Sequence, residues 1–143
     1  MSATESVKPI PVPDAQSAGY WDAAARGELA LPRCSVCHQF ALPPRDVCPW
    51  CRSTDPRYVT QPVAGGGVVR SWTIVRDSFL PGFADDVPYV LVDVELDVQP
   101  GLRMIGRLVD GPDAPLVLGD PVTVTFDRLT DEFAVPAFAL GAG

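Results

Sequence analysis

Two short cysteine motifs decide the fold of this chain: Cys34-Ser-Val-Cys37 and, ten residues further on, Cys48-Pro-Trp-Cys51. A Cys-x-x-Cys turn places two thiolates on one side of a tight bend, and two such turns facing each other supply the tetrahedron of a closed zinc site. No other cysteine occurs in the sequence. Because the interval between the motifs is short, the intervening segment is expected to form a small hairpin rather than a helix. The spacing therefore predicts a structural four-thiolate site, with zinc as the expected ion.

The cysteines allow three other interpretations. Disulfides would require an oxidising compartment, but the first twenty residues hold no apolar run that resembles a secretory signal, which favours a cytoplasmic protein. A thioredoxin-type redox pair needs a helix that begins at one motif, and four prolines leave no room for it: Pro32, Pro43, Pro44 and Pro49. Iron, as in rubredoxin, is chemically allowed because tetrahedral sulfur suits both metals. His38 follows a ligand directly and is expected to be a solvent-facing turn residue in a backbone conformation that favours glycine.

The composition indicates a globular protein with an acidic surface. The 143 residues are 47% hydrophobic, and 18 carboxylates against 11 Lys and Arg give a net charge of -7. Such a surface repels a phosphate backbone, so nucleic-acid binding is disfavoured. No stretch approaches the ~20 apolar residues of a membrane span. Lys8 is the single lysine, so a bound anion would depend on arginines or backbone amides.

The N-terminal part divides into two predicted units. Residues 1–16 are small, polar and rich in proline and are expected to form a flexible arm. Residues 17–62 are expected to form a helix, capped by Ser17 and ended by Gly27, followed by the metal-bound ribbon. Tyr20 and Trp21 would form an aromatic stripe on that helix. A helix this short is marginal alone, so the stripe is expected to pack on the core of the chain or on another subunit.

The C-terminal part, residues 63–143, has the pattern of a small β-barrel. It begins near Gly65-Gly66-Gly67, which is expected to be a flexible joint or a bulge at a strand start. Five runs of alternating or β-branched residues follow, separated by Pro, Gly and Asp clusters: 68–76, 89–97, 102–109, 122–128 and 134–140. Five antiparallel strands, with a short connector in place of a helix between the third and fourth, match a five-stranded OB-fold barrel. The chain is therefore predicted to be mainly β.

The loop at residues 77–88 carries unusually large apolar side chains. Phe79, Leu80 and Phe83 lie in the connection between the first two barrel strands, one of the two loops that frame the ligand face of an OB fold. The loop is expected either to fold back over the barrel mouth or to bind a ligand or partner.

Several motifs in order resemble one family, that of zinc-ribbon and OB-fold proteins associated with acyl-CoA enzymes. The resemblance spans residues 20 to about 128 and rests on Tyr20-Trp21, Leu31-Pro-Arg-Cys34, Leu42-Pro-Pro-Arg45, Gly-x-Val-x-Ser-Trp-Thr at 67–73, Pro81-Gly-Phe83, Pro88-Tyr-Val90 and Gly119-Asp-Pro-Val122. It implies a helix, a rubredoxin-like zinc ribbon ligated by Cys34, Cys37, Cys48 and Cys51, and an OB barrel. The chain departs from the family at His38 and Arg52, where glycine often follows each cysteine motif.

The resemblance also implies a function. Members accompany thiolase-fold proteins: acyltransferases, or the lipid-transfer-protein-like aldolases that remove steroid side chains as acyl-CoA thioesters. The family's chemistry resides on the partner, so no catalytic residue is assigned here. The sequence agrees, because one histidine and four metal-bound thiols leave neither a Cys-His pair nor an evident Ser-His-Asp set. Two alternatives are a rubredoxin-like electron carrier and an OB protein that binds single-stranded nucleic acid through Trp72 and Phe83.

The expected role is thus a non-catalytic, acyl-CoA-binding subunit of an acyl-CoA lyase or a thiolase-type acyltransferase. Partner binding is assigned to the ribbon and to the N-terminal helix with its arm, and there to Tyr20 and Trp21. Ligand contact is assigned to the barrel mouth, through Phe79 and Phe83 on the loop and Arg70, Trp72 and Arg107 on nearby strands. Uninterrupted alternation places Arg70 and Trp72 on the same face of their strand.

Overall fold

The fold was obtained as a computed structural model that describes residues 8–142. It is mainly β, as the sequence predicts, with one helix and seven strands in the part of the chain it describes. In chain order these are α1 Ala18–Ala25, β1 Ala30–Arg33, β2 Val59–Pro62, β3 Gly66–Val75, β4 Tyr89–Leu96, β5 Arg103–Leu108, β6 Pro121–Arg128 and β7 Ala134–Leu140. No helix within this range is long and apolar enough to cross a membrane.

Side chains of Asp14 and Arg128 bind backbone groups at the two ends of α1. Ser17 makes no side-chain cap hydrogen bond. Instead, the Asp14 carboxylate accepts hydrogen bonds from the backbone amides of Gln16 and Ser17, at 3.0 and 2.8 Å. At the other end, Arg128 of the barrel donates to the backbone carbonyl of Ala25. Ser17 therefore stands at the predicted N-cap position, but its side chain does not cap α1, and the side-chain hydrogen bonds at this end come from Asp14, three residues earlier.

The metal ribbon is closed by a two-stranded antiparallel sheet. β1 leads into the first cysteine motif and β2 leads out of the second, with Ala30 opposite Pro62 and Arg33 opposite Val59. Arg33 also forms a bridge with Phe40, which begins the return arm of the predicted hairpin. Leu29, Leu31 and Phe40 are buried and continue the hydrophobic core of the barrel into the ribbon.

The five predicted barrel strands are confirmed, and they close in the order β3-β4-β5-β7-β6. Their arrangement differs from the prediction in one respect: β5 and β7 run parallel, with Arg107 opposite Ala137, whereas the other pairs are antiparallel. The barrel interior is filled by alternating residues of these strands, among them Val69, Val92, Val94, Leu108 and Phe138. As expected, a connector without a helix joins β5 to β6, and its Ala114 and Leu116 pack against the core.

The triple glycine serves close packing. A Cβ at Gly65 would lie 2.0 Å from Val124 Cγ1, and one at Gly67 would lie 2.6 Å from the Glu95 carbonyl oxygen. Neither position tolerates a side chain, since real Cβ atoms essentially never come this close to a neighbour. These glycines let β3 approach β4 and β6 closely where the barrel closes.

Candidate metal centre and surface pockets

The four cysteine sulfurs form a compact cluster. Cys34 Sγ lies 3.9 Å from Cys51 Sγ, Cys37 Sγ lies 3.8 Å from Cys48 Sγ, and all four atoms lie within 4.8 Å of one another. A zinc–sulfur bond of about 2.3 Å places tetrahedral sulfurs about 3.8 Å apart. The spacing therefore fits a tetrahedral Zn²⁺ or iron ion held by all four side chains.

The backbone of the two cysteine motifs is nearly the same. The amide of His38 donates to the Cys34 carbonyl at 2.9 Å, and the amide of Arg52 donates to the Cys48 carbonyl at 3.0 Å. His38 and Arg52 have φ of 64° and 65°, the left-handed conformation expected after each motif. The His38 side chain is exposed, in agreement with its assignment as a turn residue.

The thiols lie close enough to change one another's pKa. Desolvation raises the pKa of Cys34, but hydrogen bonds from the Cys37 and Val36 amides and from neighbouring thiols outweigh it and lower that pKa to about 7. For Cys37 the Gln39 amide lowers the pKa, but desolvation and the neighbouring thiols raise it to about 11. Four sulfurs this close cannot all be thiolates unless a positive charge lies between them.

The ribbon is joined to the barrel by Gln99, a buried polar side chain in the turn between β4 and β5. Its Oε1 accepts from the Phe40 amide at 2.7 Å, and its Nε2 donates to the Phe40 carbonyl at 3.0 Å. Trp50 Nε1 donates to the same carbonyl at 2.8 Å. The sequence offered no signal for Gln99, because its role depends on a contact 59 residues away.

An apolar groove, here called the α1 groove, lies between α1, the ribbon and the outer face of the barrel. It has a volume of about 560 Å³ and is lined by Trp21, Leu42, Pro43, Ile105 and Val135, among others. Trp21 stacks edge-on against Phe133 at a centroid distance of 6.5 Å. Ile105, which sequence reasoning did not single out, is 65% exposed on its floor. Tyr20 packs partly against the core, and burial raises the pKa of its phenol.

A second pocket, here called the arm pocket, lies beside the α1 groove and shares Val135 and Pro136 with it. Its volume is about 310 Å³, and it brings Phe83 and Arg107 together with Lys8 of the N-terminal arm. Asp86 binds both cations, with Oδ2 at 2.7 Å from Lys8 Nζ and 2.9 Å from Arg107 Nη1. Lys8 and Arg107 together lower the pKa of the Asp86 carboxyl. The arm is thereby attached to the loop between β3 and β4.

The remaining candidate ligand residues lie elsewhere. A bulge between Val69 and Ser71 shifts the register of β3, so Arg70 and Trp72 do not share a face, contrary to the prediction from alternation. Arg70 binds Glu95 on the outer face at 2.6 Å, whereas Trp72 lies opposite the buried Val92. The Gly101 amide and Arg70 lower the pKa of Glu95. Phe79, at 97% exposure, lies at the loop surface.

These observations define a class: a four-thiolate ribbon fused to an OB barrel. Two family models match the chain, the rubredoxin-like zinc ribbon domain of ChsH2 at residues 21–57 and the C-terminal OB-fold domain of ChsH2 at residues 60–127. The chain belongs to this family of zinc-ribbon and OB-fold proteins. This membership confirms the resemblance that the sequence motifs indicate.

Similar proteins extend this assignment. A "probable enoyl-CoA hydratase alpha subunit" of Thermomonospora curvata is 30% identical over 134 residues, 94% of this chain and 40% of that protein. The chain thus spans well under half the length of that relative. A "DUF35 domain-containing scaffold protein" of Methanothermobacter thermautotrophicus is 28% identical, over 75% of this chain and 77% of the other. Among solved structures, a chain of an "Ltp2-ChsH2(DUF35) aldolase" matches with a TM-score of 0.77 and 29% identity, over 93% of this chain and all of that one.

Proposed function

We propose that this chain is a non-catalytic subunit that binds a thiolase-fold enzyme and helps to hold its acyl-CoA substrate. The observation that carries the proposal is the match, over 93% of the chain, to a chain of a two-protein aldolase complex. The naming of other relatives as scaffold proteins gives independent support. The reaction would then belong to the partner, either an acyl-CoA lyase of the retro-aldolase type or a thiolase-type acyltransferase.

The chemistry of the chain's own side chains supports a non-catalytic role. The single histidine, His38, is exposed on the ribbon, and its backbone carbonyl accepts a hydrogen bond from Arg33 Nε at 2.7 Å. All four thiols belong to the metal site. A metal ion with four thiolate ligands leaves no coordination position for a reactive water. The ion would cross-link the two cysteine motifs and so hold the ribbon in shape.

The α1 groove is our choice for the partner-binding surface. It is apolar, open and formed by both predicted interface elements, the helix with Trp21 and the ribbon with its Leu42-Pro43-Pro44 segment. Arg103 at its margin is paired with Asp93 at 2.6 Å, so the groove presents no unpaired charge of its own at that point. Aromatic anchors surrounded by such a rim typically dominate the energy of a protein interface.

The arm pocket is our choice for contact with the acyl-CoA. A CoA thioester presents phosphates that need cations and an adenine that stacks on aromatic rings. Arg107 and Lys8 supply the cations, and Phe83 and Tyr89 supply rings whose centroids are 6.1 Å apart. The exposed Phe79 could add to this contact from the loop. Arg70 and Trp72 do not line the arm pocket. They would contact the acyl-CoA only if it extended beyond that pocket.

The test is to isolate the tagged chain from its native source, identify the co-purifying subunit, and assay acyl-CoA cleavage and acyl transfer with each component alone and together. We expect a thiolase-fold partner that is active only in the complex, and no turnover by this chain alone. Arg107→Ala and Phe83→Ala should raise KM for the acyl-CoA in an assembled complex, with Arg52→Ala on the ribbon as the control. Turnover by the isolated chain would contradict the proposal.

Metal analysis of the same protein distinguishes a scaffold subunit from a rubredoxin-like electron carrier. The sulfur geometry suits iron as well as zinc, and a four-thiolate iron site is coloured. Iron with a reversible visible absorption change on reduction would favour that alternative over a scaffold.

A further inference from the structure

Half of β3 has a free edge. At Gly67 and Val68, β3 is paired on both sides, with β4 and with β6. Beyond Val69, whose amide and carbonyl bond to Asp120 and Gly119, pairing continues only with β4. Among the described residues, no strand pairs with Ser71 to Val75 on the other side. This five-residue edge spans about 17 Å at the usual rise of a strand.

The direction of the backbone groups along this edge follows from the ladder. Leu96 donates its amide to Leu102 in the turn that leads into β5, so even-numbered residues of β4 direct their backbone groups away from β3. Trp72 and Ile74 lie opposite Val92 and Val90 and form the pairs without direct hydrogen bonds. Their own N–H and C=O groups therefore point outward along the free edge.

The edge lacks most of the features that prevent strands from pairing between molecules. Such features include lysine, proline, β-bulges, short length and cover by a loop. The bulge before Ser71 is one of them. Ser71, Trp72 and Thr73 are all exposed, Trp72 to 39%, and none of the five residues is charged or proline. Where the edge begins, Val117 and Leu118 are each 64% exposed. A long, neutral, β-branched edge beside exposed apolar side chains favours strand addition.

We propose that a second copy of this chain occupies the edge, so that two barrels pair through β3 in an antiparallel, two-fold arrangement centred on Thr73. The edge is complementary to itself. With Thr73 on the axis, Trp72 lies opposite Ile74 of the second copy, and both direct their backbone groups toward each other. The two symmetric pairs give four backbone hydrogen bonds. Trp72 against Ile74 and Thr73 against Thr73 are favourable types of cross-strand pair.

Residues at the two ends of the paired segment limit the stability of the dimer. Arg70 would lie opposite Arg76 of the second copy, although Glu95 at 2.6 Å partly neutralises Arg70. The same register brings the end of the second β3 beside Val117 and Leu118. Stable interfaces bury about 1,200–2,000 Å², more than one edge supplies. The dimer is therefore reversible and weak, and it strengthens as salt screens the arginines and the net negative charge of each copy.

The experiment is sedimentation velocity of the purified, metal-loaded chain up to high micromolar concentration. We expect a reversible monomer–dimer equilibrium. Ile74→Pro removes one edge N–H in each copy without removing a β4 ladder bond, and it should weaken the dimer at least tenfold, whereas Ile74→Val should not. Thr73→Lys places like charges on the axis and should also abolish the dimer, with Thr73→Val as its control. Both dimer-breaking variants must keep the wild-type metal content and melting behaviour.

Hydrogen exchange identifies the surface. The amides of Trp72 and Ile74 should become more protected as concentration rises, whereas exposed amides elsewhere should not. A chain that stays monomeric at all concentrations overturns the proposal. A dimer that survives both Ile74→Pro and Thr73→Lys also overturns it, because that dimer must use another surface. If Ile74→Pro misfolds, Thr73→Lys and the exchange data decide.

Discussion

Gln99 shows how much one side chain can contribute to joining two parts of a protein. Its amide satisfies the N–H and C=O of Phe40, a residue buried between ribbon and barrel. Buried backbone groups are costly when they lack partners, so the pair must form whenever the ribbon docks. Trp50 shares the Phe40 carbonyl and closes the contact from the second cysteine motif.

Gln99→Leu should therefore destabilise the ribbon while preserving its metal. The variant keeps the volume of the side chain but leaves the Phe40 N–H without its acceptor, which costs about 1–3 kcal/mol in unfolding free energy. Denaturant titration measures the loss, and hydrogen exchange should show faster exchange of the Phe40 amide. Gln39→Leu, at an exposed site, is the matched control. Equal stability of the two variants would show that Gln99 does not hold the ribbon.

The metal ribbon is the element that depends most on a single interaction. Its two strands have four residues each and its hairpin is short, so little apolar surface holds it together. A structural zinc site contributes ~10 kcal/mol or more to such a fold. We therefore expect the ribbon to fold only when an ion is bound to its four cysteines.

Cys48→Ser should lose the metal ion and unfold the ribbon. Elemental analysis should give one ion per wild-type chain and far less in the variant, and circular dichroism should report the loss of ordered structure. Val47→Ser, which introduces the same side chain at the exposed neighbouring position, should behave as wild type. Retention of a full equivalent of metal by Cys48→Ser would argue against a site of four ligands.

The N-terminal arm is held by one carboxylate. Asp86 binds Lys8 and Arg107, and both cations lie over aromatic rings, Lys8 over Phe83 at 5.4 Å and Arg107 over Tyr89 at 5.1 Å. Because the folded-state pKa of Asp86 is lowered, its contribution is fully present above the ordinary carboxyl pKa of about 3.9 and is lost as the pH falls through the lower folded value. The ion pairs that attach the arm to Asp86 are therefore fully formed at neutral pH.

Asp86→Asn should release the arm. NMR relaxation of the backbone amides of Ile10 and Val12 should show greater motion in the variant at pH 7, at a level that wild type reaches only in acid. Asp85→Asn removes a neighbouring exposed carboxylate and should leave the arm ordered. If Ile10 and Val12 remain as rigid in Asp86→Asn as in wild type, the proline-rich backbone holds the arm without the ion pair.

Local patterns in the sequence predicted the helix, the ribbon and the barrel strands. They did not predict the irregular positions where these elements begin or change register. The cysteine spacing and the alternation of apolar residues are local signals, and both the ribbon and the five barrel strands are confirmed. The side-chain hydrogen bonds of Asp14 in the turn before α1 were not predictable, because both Asp14 and Ser17 carry side chains that can cap backbone amides. The bulge at Arg70 was also hidden, since it inserts a residue without any glycine or proline to mark it.

At the scale of the whole molecule, the features that the sequence did not predict depend on contacts between distant segments. The parallel pairing of β5 with β7 and the seating of the ribbon on Gln99 join segments that no local pattern relates. The α1 groove is a consequence of this packing, since α1, the ribbon and β5 each supply only part of its wall. Ile105 was therefore overlooked, although it is among the most exposed large apolar residues of the barrel strands.

Ile105 provides the sharpest test of the proposed partner-binding surface. Ile105→Glu places a charge on the floor of the α1 groove, where an apolar partner side chain would have to desolvate it, at a cost of about 2 kcal/mol or more and so roughly thirtyfold in affinity. The tagged variant should fail to retain the partner that wild type retains. Val59→Glu makes the same change at a residue that is also exposed but lies outside the groove, and it should retain the partner. Both variants should remain folded, since neither side chain is buried, and Ile105→Glu should melt at a slightly lower temperature because Ile105 lies opposite Asp93. If Ile105→Glu keeps the partner as well as Val59→Glu does, the complex is built on another face of the molecule.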